Sequence, residues 1–441
     1  MGRRPLRRRL GVWMNGLFTG TWEQGTDGES FTYDENWIGN AQGRPLSLSL
    51  PFRSGSEPYR GRVVTDYFDN LLPDSDAIRR RLAQRHRTQG TGPFDLLSAL
   101  GRDCVGALQL LPDDAVPEAL HSIDGTPLDE AGIARLLRDT TRRVPLGQHA
   151  DEDDLRLSIA GAQEKTALLR RDGQWLLPHG STPTTHILKL PLGLVGNMRA
   201  DMRTSVENEW LCAQLVRHYG LPVANCEVAR FEDQKALVVE RFDRRLAPDE
   251  SWIIRLPQED FCQALGVSVL AKHQADGGPG IAEIMAVLAG SETAAHDRRN
   301  FFKTQILFWL LAATDGHAKN FSLSIGPGGR YWSTPLYDVL SAYPIMGGGA
   351  SQIAPQKARL AMAVRGSQNH YRLAQIMRRH WFEQGRQVGM SVDEVEAIIA
   401  ELTAATGQAI AQTAAVLPRG FPADLAESVF VGLQAQVRRL A

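Results

Sequence analysis

The segment ATDGHAKNF, which closes on Phe321, places an acid, a histidine, a lysine and an amide at the end of ILFWLLAAT, the most apolar run of the chain. Asn320 lies five residues after Asp315, and FSLSI, a GPGG turn and RYWSTPLY then read as a hairpin that returns Asp338 toward the loop. An acid, an amide and a second acid are the trio that phosphoryl transfer uses. One carboxylate accepts the proton of the attacking hydroxyl, and an amide oxygen with a second carboxylate holds magnesium. The Asp-to-Asn spacing equals that of a kinase catalytic loop. What precedes it differs, because Ala313 and Thr314 stand where His and Arg would be, and the histidine follows the acid as His317. Taken alone, Asp315 also fits a capped helix end turning into solvent.

Such a site must also hold phosphates, and candidate elements lie upstream. In THILKLP, Lys189 sits on a short strand with its side chain opposite those of Leu188 and Leu190, in position to meet phosphates or simply solvent. LRLSIAGAQEKTALL reads as strand, turn, strand, with Ser158, Gly161 and Lys165 at the turn, where backbone N–H groups can cradle an anion; a plain hairpin has the same pattern. Glu209 shares a helix face with Cys212, Ala213 and Val216, where a carboxylate is costly to bury without a cation. Lys189 is the expected partner, with Glu207 as the competing carboxylate. ALVVERFDRR reads as a buried strand ending in Glu240, Arg241 and Phe242, a linker whose backbone can bond adenine or merely join two lobes. The order of these pieces, loop, lysine, helix glutamate, linker, then acid, amide and acid, is the kinase order.

The elements around them are those of a soluble multi-lobed protein. At 441 residues the chain exceeds one ordinary core. Its 43% hydrophobic and 22% charged residues and net charge of -1 give no global field for nucleic acid. The basic start RRPLRRRL reads as a frayed tail. Cys104, Cys212, Cys226 and Cys262 lack metal-ligand spacing and read as reduced thiols. No apolar run approaches the roughly 20 residues of a membrane helix, and a signal peptide is not apparent, so a cytoplasmic location and no membrane partner are expected. Up to about residue 118, LGVWMNGLFTGTW, GESFTYDENWI and PLSLSLPF read as strands of a small sheet, followed by helices at TDYFDNLLPDSDAIRRRLAQRH and GPFDLLSALG and a strand at CVGALQLL. Strands dominate again from Leu155 to Glu240 around one helix, SVENEWLCAQLVRHYG, with Gly220 as its stop. After Arg255 nearly everything but one hairpin reads as helix. The expectation is an α+β, two-lobed kinase-like fold: 1–118 an added N-terminal subdomain, 119–243 a strand-rich N-lobe, 244–441 an all-helical C-lobe.

With these residues in view, the chain resembles the HipA family of serine/threonine-kinase toxins. The resemblance runs through PFDLLSALGRDCVGALQL, SIAGAQEKTALL, TPTTHILKLP, VVERFDRR, RLPQEDFCQALG, DGGPGIA, ATDGHAKNFS and TPLYDVLSAYP. It implies ATP and Mg2+ as cofactors, Asp315 as catalytic base, Asn320 and Asp338 as magnesium ligands, and Lys189 on the phosphates, ion-paired with Glu209. It further implies Ala160, Gly161, Ala162, Gln163, Glu164 and Lys165 as the phosphate loop and Glu240, Arg241 and Phe242 as the adenine site. His317, Ala318, Lys319, Asn320 and Tyr337 become further nucleotide contacts, and Ser158 the autophosphorylated serine. A phosphate there adds roughly -1.5 to -2 charge beside those of ATP, a physical cause for inhibition. The implied partners are a HipB-type antitoxin dimer, operator DNA through that complex, and a protein substrate such as glutamyl-tRNA synthetase. AVRGSQNHYRLAQIMRRHWFEQGRQ offers Arg365, Arg372, Arg378, Arg379 and Arg386 as a surface for DNA, or as a solvated helix face. Two other functions fit the same residues: a small-molecule kinase, and an ATP-binding co-repressor without toxic activity.

Overall fold

The structure, a computed structural model, describes residues 7–55, 57–141, 163–196 and 199–440. The chain opens with β1 (Arg8–Met14) and β2 (Leu17–Gly25), joined by Asn15 and Gly16 at φ 46° and 80°. Two successive left-handed residues make the tight turn whose twist matches an antiparallel pair. With β3 (Gly28–Tyr33), β4 (Tyr59–Arg60) and β5 (Leu108–Pro112) they form an antiparallel sheet of order β4-β3-β2-β1-β5. Helices α1 (Glu35–Ile38), α2 (Arg62–Asp69), α3 (Asp76–Arg85) and α4 (Pro93–Leu100) accompany this sheet. Trp22 of β2 stacks on Phe68 of α2 with ring centroids 3.9 Å apart. The expected strand at PLSLSLPF is a loop with a single bridge, Ser47 to Leu50. Tertiary bonds replace the ladder there: the Tyr33 hydroxyl donates to Leu50 O and accepts from Leu46 N, and Leu48 N donates to Glu259 Oε1, while the Ser47 and Ser49 hydroxyls add side-chain bonds to Gln263 O.

The second sheet takes β6 (Gly125–Leu128), β7 (Lys165–Arg171), β8 (Gln174–Pro178), β9 (His186–Lys189), β12 (Cys226–Phe231) and β13 (Gln234–Glu240) in the order β12-β13-β9-β7-β8-β6. A small hairpin, β10 (Gly193–Val195) and β11 (Ala200–Met202), follows β9. The sheet separates two helices, α5 (Glu130–Thr141) and α6 (Ser205–His218). Period-2 alternation assigns the faces. Leu188 and Val238 join the cluster with Ile133 and Leu137 of α5, while Leu237 and Val239 join α6 and the C-terminal core. Lys189, one residue after Leu188, therefore stands on the α6 side. The helix ends as its sequence suggests, with Gly220 at φ 75°.

The remaining chain is mainly helical, built from α7 (Phe261–Ala264), α8 (Ile281–Leu288), α9 (Ala294–Leu310), α10 (Arg378–Gln387), α11 (Val392–Ala415) and α12 (Ala423–Val437). It is not wholly helical. Strands β14 (Arg244–Leu246) and β15 (Ile253–Arg255) pair, β16 (Gln258–Asp260) joins the hairpin β17 (Ser322–Ile325) and β18 (Tyr331–Ser333), and β19 (Arg359–Arg365) pairs with β20 (Asn369–Arg372). AVRGSQNHYR thus turns at Gly366 as a hairpin, because a continuously buried Leu360–Val364 run and a glycine suit a covered strand better than an amphipathic helix. Every residue of α9 from Phe301 to Leu310 is buried, so this helix is the axis of the lobe.

Three buried arginines clamp the N-terminal subdomain to the linker. Asp103 takes Arg241 at 3.3 Å, Arg244 at 2.9 Å and Arg255 at 3.4 Å, and Asp243 takes Arg241 at 2.8 Å. Burial opposes the charge on Asp103, but the three guanidiniums outweigh it and hold its carboxyl well below the usual range. No helix among the described residues is long and apolar enough to cross a membrane, and all four cysteines are free thiols.

Candidate active site

The loop after α9 begins with a helix stop. Ala312 has φ 50°, its N–H donates to Trp309 O, and the N–H of Ala313 donates to Phe308 O, the two bonds of a Schellman cap with alanine in place of the usual glycine. The chain leaves the buried axis at a fixed angle and reaches Asp315 at once. Gly316 then lies flat on Phe308: a Cβ there would come within 2.5 Å of the ring. Gly316→Ala is expected to push the loop off its seat and cut phosphoryl transfer at least tenfold while the circular-dichroism spectrum stays that of the parent. Unchanged turnover would mean that Phe308 gives way instead.

Asp315 projects outward, its side chain 66% exposed. Two imidazoles flank it, His273 Nε2 at 3.7 Å and His317 Nε2 at 3.8 Å from Oδ1. Burial holds the His317 imidazole down at about 4, so it is neutral near pH 7. Asn320 Nδ2 donates to Asp315 O at 2.8 Å, which fixes the amide and leaves its oxygen without a donor among the described residues. Asp338, at φ 60°, follows β18 and comes back to the same place; aspartate tolerates the left-handed region better than most residues. Tyr337, its neighbour, donates from Oη to Lys319 O at 2.9 Å and locks this return to the loop.

Lys189 joins the lobes. Its ammonium lies 2.6 Å from Glu209 Oε1 on α6 and 2.9 Å from Asp338 Oδ1. Burial works against the charge, but Asp338 and Glu209 outweigh it and hold the lysine above its ordinary pKa. Asp338 is held down to about 2, because Lys189 and Lys165 outweigh its own burial. Glu207, the competing carboxylate, pairs instead with Lys235 at 2.5 Å. Across β9, Lys165 is register partner to Lys189. Its burial, with Lys189 alongside, brings the Lys165 ammonium down to about 8. Below pH 8 both lysines are charged; above it Lys165 loses its proton. Affinity for a polyphosphate is therefore expected to fall as pH rises from about 8, by up to about tenfold per unit until the lysine of the complex itself titrates. Titration calorimetry with ATP at pH 7 to 10, with Lys165→Met as the pH-insensitive control, checks this.

These groups line a cleft between the lobes of about 1280 Å³, open to solvent. Gln163, Lys165, Lys189, Glu240, Arg241, Phe242, Asp315, His317, Lys319, Asn320, Tyr337 and Asp338 all border it. Not all of their side chains are available. Arg241 is spent on Asp103, Asp243 and Thr184. Lys319 donates to Asn70 O at 2.7 Å and Asp260 Oδ2 at 2.9 Å. Glu164 pairs with Arg81, Glu240 accepts from Asn225, and Gln163 donates to Leu190 O. Ala318 is buried in the core. The backbone N–H groups of Glu240 and Arg241 donate to Asn225 O and Thr185 O, and that of Phe242 has no partner among the described residues. Phe242 and Tyr337 face each other with ring centroids 5.9 Å apart, at 35°. Ser158, Ala160, Gly161 and Ala162 lie outside the described residues. Arg378 forks onto Glu396 with two bonds of 2.6 Å, whereas Arg379 and Arg386 are exposed on α10.

The sequence reading missed His273, and it missed that Asn70, Leu71 and Asp74 from the N-terminal subdomain form part of the cleft wall, Asp74 through Lys272 at 2.6 Å. No spacing in the sequence links these residues to the loop.

The residues fit a nucleotide with its metal. Two adjacent ammonium groups suit a polyphosphate, and the uncommitted amide oxygen of Asn320 with the second oxygen of Asp338 suits a hard, oxygen-seeking cation. The chain matches the HipA-like C-terminal domain over residues 157–410 and the HipA N-terminal domain over residues 10–111. It belongs to the HipA family. Among its relatives, the kinase-named protein Y4mE of Sinorhizobium fredii is 36% identical over 413 residues, 92% of this chain and 91% of that one. The serine/threonine-protein kinase toxin HipA of Shewanella oneidensis is 27% identical over 320 residues, covering 70% of this chain and 69% of the toxin. HipA in the solved Shewanella oneidensis complex with HipB and operator DNA superposes with a TM-score of 0.77, over 98% of this chain and 96% of that one, at 24% identity. The fold is thus the α+β, kinase-like fold of HipA.

Proposed function

We propose that this HipA-family chain is a serine/threonine protein kinase toxin that moves the γ-phosphoryl group of ATP to a protein serine. The observation that carries the reading is the buried Lys189 ammonium held between Glu209 and Asp338 on the wall of a cleft that also presents Asp315 and Asn320. In this reading Asp315 accepts the proton of the serine hydroxyl, and its exposure leaves room for a protein substrate. Lys189 and Lys165 receive the phosphates, and Phe242 and Tyr337 flank the base, with the Phe242 N–H as its donor. Asn320 and Asp338 hold Mg2+, which when bound neutralises charge on the phosphates. Residues 1–118 form the added subdomain, 119–243 the N-lobe and 244–441 the C-lobe.

The finer expectations go with this reading. The substrate is an aminoacyl-tRNA synthetase, glutamyl-tRNA synthetase first among them, and Ser158 is the self-phosphorylation site. A HipB-type antitoxin dimer and its operator DNA are the partners. What supports them is family membership and the composition of the solved Shewanella oneidensis complex. On the surface of α10, Arg386 is the arginine best placed to approach phosphates, with Arg379 beside it holding one bond to His380, since Arg378 is occupied by Glu396.

Transfer of labelled γ-phosphate to the protein itself and to purified aminoacyl-tRNA synthetases tests the reading. Label on Ser158 and on one synthetase is the expected result. Tight ATP binding with no label on any protein would favour the co-repressor, and label on a small molecule would favour a metabolite kinase.

A further inference from the structure

Three groups with metal-ligand chemistry converge beside the cleft from two distant parts of the chain. His273 opens the short turn Gln274–Asp276, while Asp315 and His317 belong to the loop after α9. One ligand atom from each lies within 4.8 Å of the other two. Asp315 Oδ1 is 3.7 Å from His273 Nε2 and 3.8 Å from His317 Nε2, too far for hydrogen bonds. Ligands held at 2.0 to 2.1 Å around a tetrahedral ion sit roughly 3.3 Å apart. The exposed carboxylate of Asp315 closes about half an ångström on each imidazole, and a turn of the half-exposed His273 ring closes up to about 1.5 Å between the two imidazoles.

A second feature points to a ligand. His317 is buried, 3% exposed, its Nδ1 has no hydrogen-bond partner among the described residues, and its Nε2 faces the Asp315 carboxylate at 3.8 Å. An imidazole that deep without a partner is costly. The rings of His273 and His317 meet edge to face with centroids 4.8 Å apart.

We propose that His273, Asp315 and His317 bind Zn2+ as an inhibitory site, taking the Asp315 carboxylate out of phosphoryl transfer. Two imidazoles and one carboxylate select a borderline transition ion over Mg2+, which keeps to the oxygens of Asn320 and Asp338. Three protein ligands leave one position for water. The inhibitory part rests on the reading of Asp315 as proton acceptor.

Co2+ added to the full-length, nucleotide-free protein is the direct probe. One equivalent is expected to give the intense visible bands of a tetrahedral ion, displaced by Zn2+. His273→Ala, and separately His273→Gln, should weaken Co2+ binding at least tenfold. In phosphoryl transfer with excess Mg2+, Zn2+ should inhibit the parent protein, a zinc-selective chelator should reverse this, and His273→Ala should need at least tenfold more Zn2+ for half-inhibition of its own zinc-free rate. Equal Co2+ binding by the parent and both His273 variants would overturn the site. Co2+ binding through His273 with transfer indifferent to Zn2+ would overturn the inhibition. If zinc-free protein phosphorylates nothing, the kinase reading fails, and the Co2+ titration still decides the site.

Discussion

Asp315→Asn should cut the rate of phosphoryl transfer by about 10²- to 10⁴-fold, the usual contribution of a positioned general base, while ATP and Mg2+ bind as in the parent. The asymmetry follows from where the carboxylate stands. Its nearest basic nitrogens are the two imidazoles, beyond hydrogen-bond reach, and its side chain is largely exposed. The contact that orders the loop is made by its backbone, since Asn320 Nδ2 donates to Asp315 O and not to the carboxylate. An amide in its place therefore leaves the loop, Asn320 and the lysines where they are and removes only the proton acceptor. Initial rates on the protein substrate beside calorimetric ATP affinity separate these effects. A rate within a factor of about three of the parent would remove Asp315 from the chemistry; lost ATP affinity would make its role one of positioning.

The parts of this site that were legible in the sequence are those set by local geometry. A period of two on β9 placed Lys189 opposite Leu188, and the helical face of Cys212, Ala213 and Val216 placed Glu209, so their meeting at 2.6 Å followed from two short-range patterns. Asp338 was legible because a hairpin returns the chain to its start. Its left-handed backbone was not, and neither was its bond to Lys189. The cleft wall contributed by Asn70 and Asp74 depends on packing between segments some two hundred residues apart, which leaves no periodic trace. The same holds for Asp103, whose three arginines come from the linker and from β14 and β15 after it. PLSLSLPF shows the converse: its alternation is real, but Tyr33 and Glu259 take backbone hydrogen bonds that a neighbouring strand would have supplied.

Lys189→Met should abolish transfer and also destabilise the protein, and the two losses can be separated. Removing one partner of a buried ion pair leaves the other charged and unpaired, which costs about 3–5 kcal/mol. Here Glu209, 5% exposed, is the carboxylate left behind, while Asp338 keeps Lys165 nearby and partial access to water. The single variant should therefore melt well below the parent. Pairing it with Glu209→Leu exchanges the ion pair for apolar side chains of similar volume, a replacement that is often neutral or stabilising. The double variant should regain the parent's melting temperature. Its transfer should stay absent, because neither new side chain can meet a phosphate and Lys165 alone supplies the charge. Thermal melts and label transfer on the same preparations give both readouts. Recovery of stability without activity would tie Lys189 to the nucleotide; recovery of both would show that its ammonium serves only to neutralise Glu209.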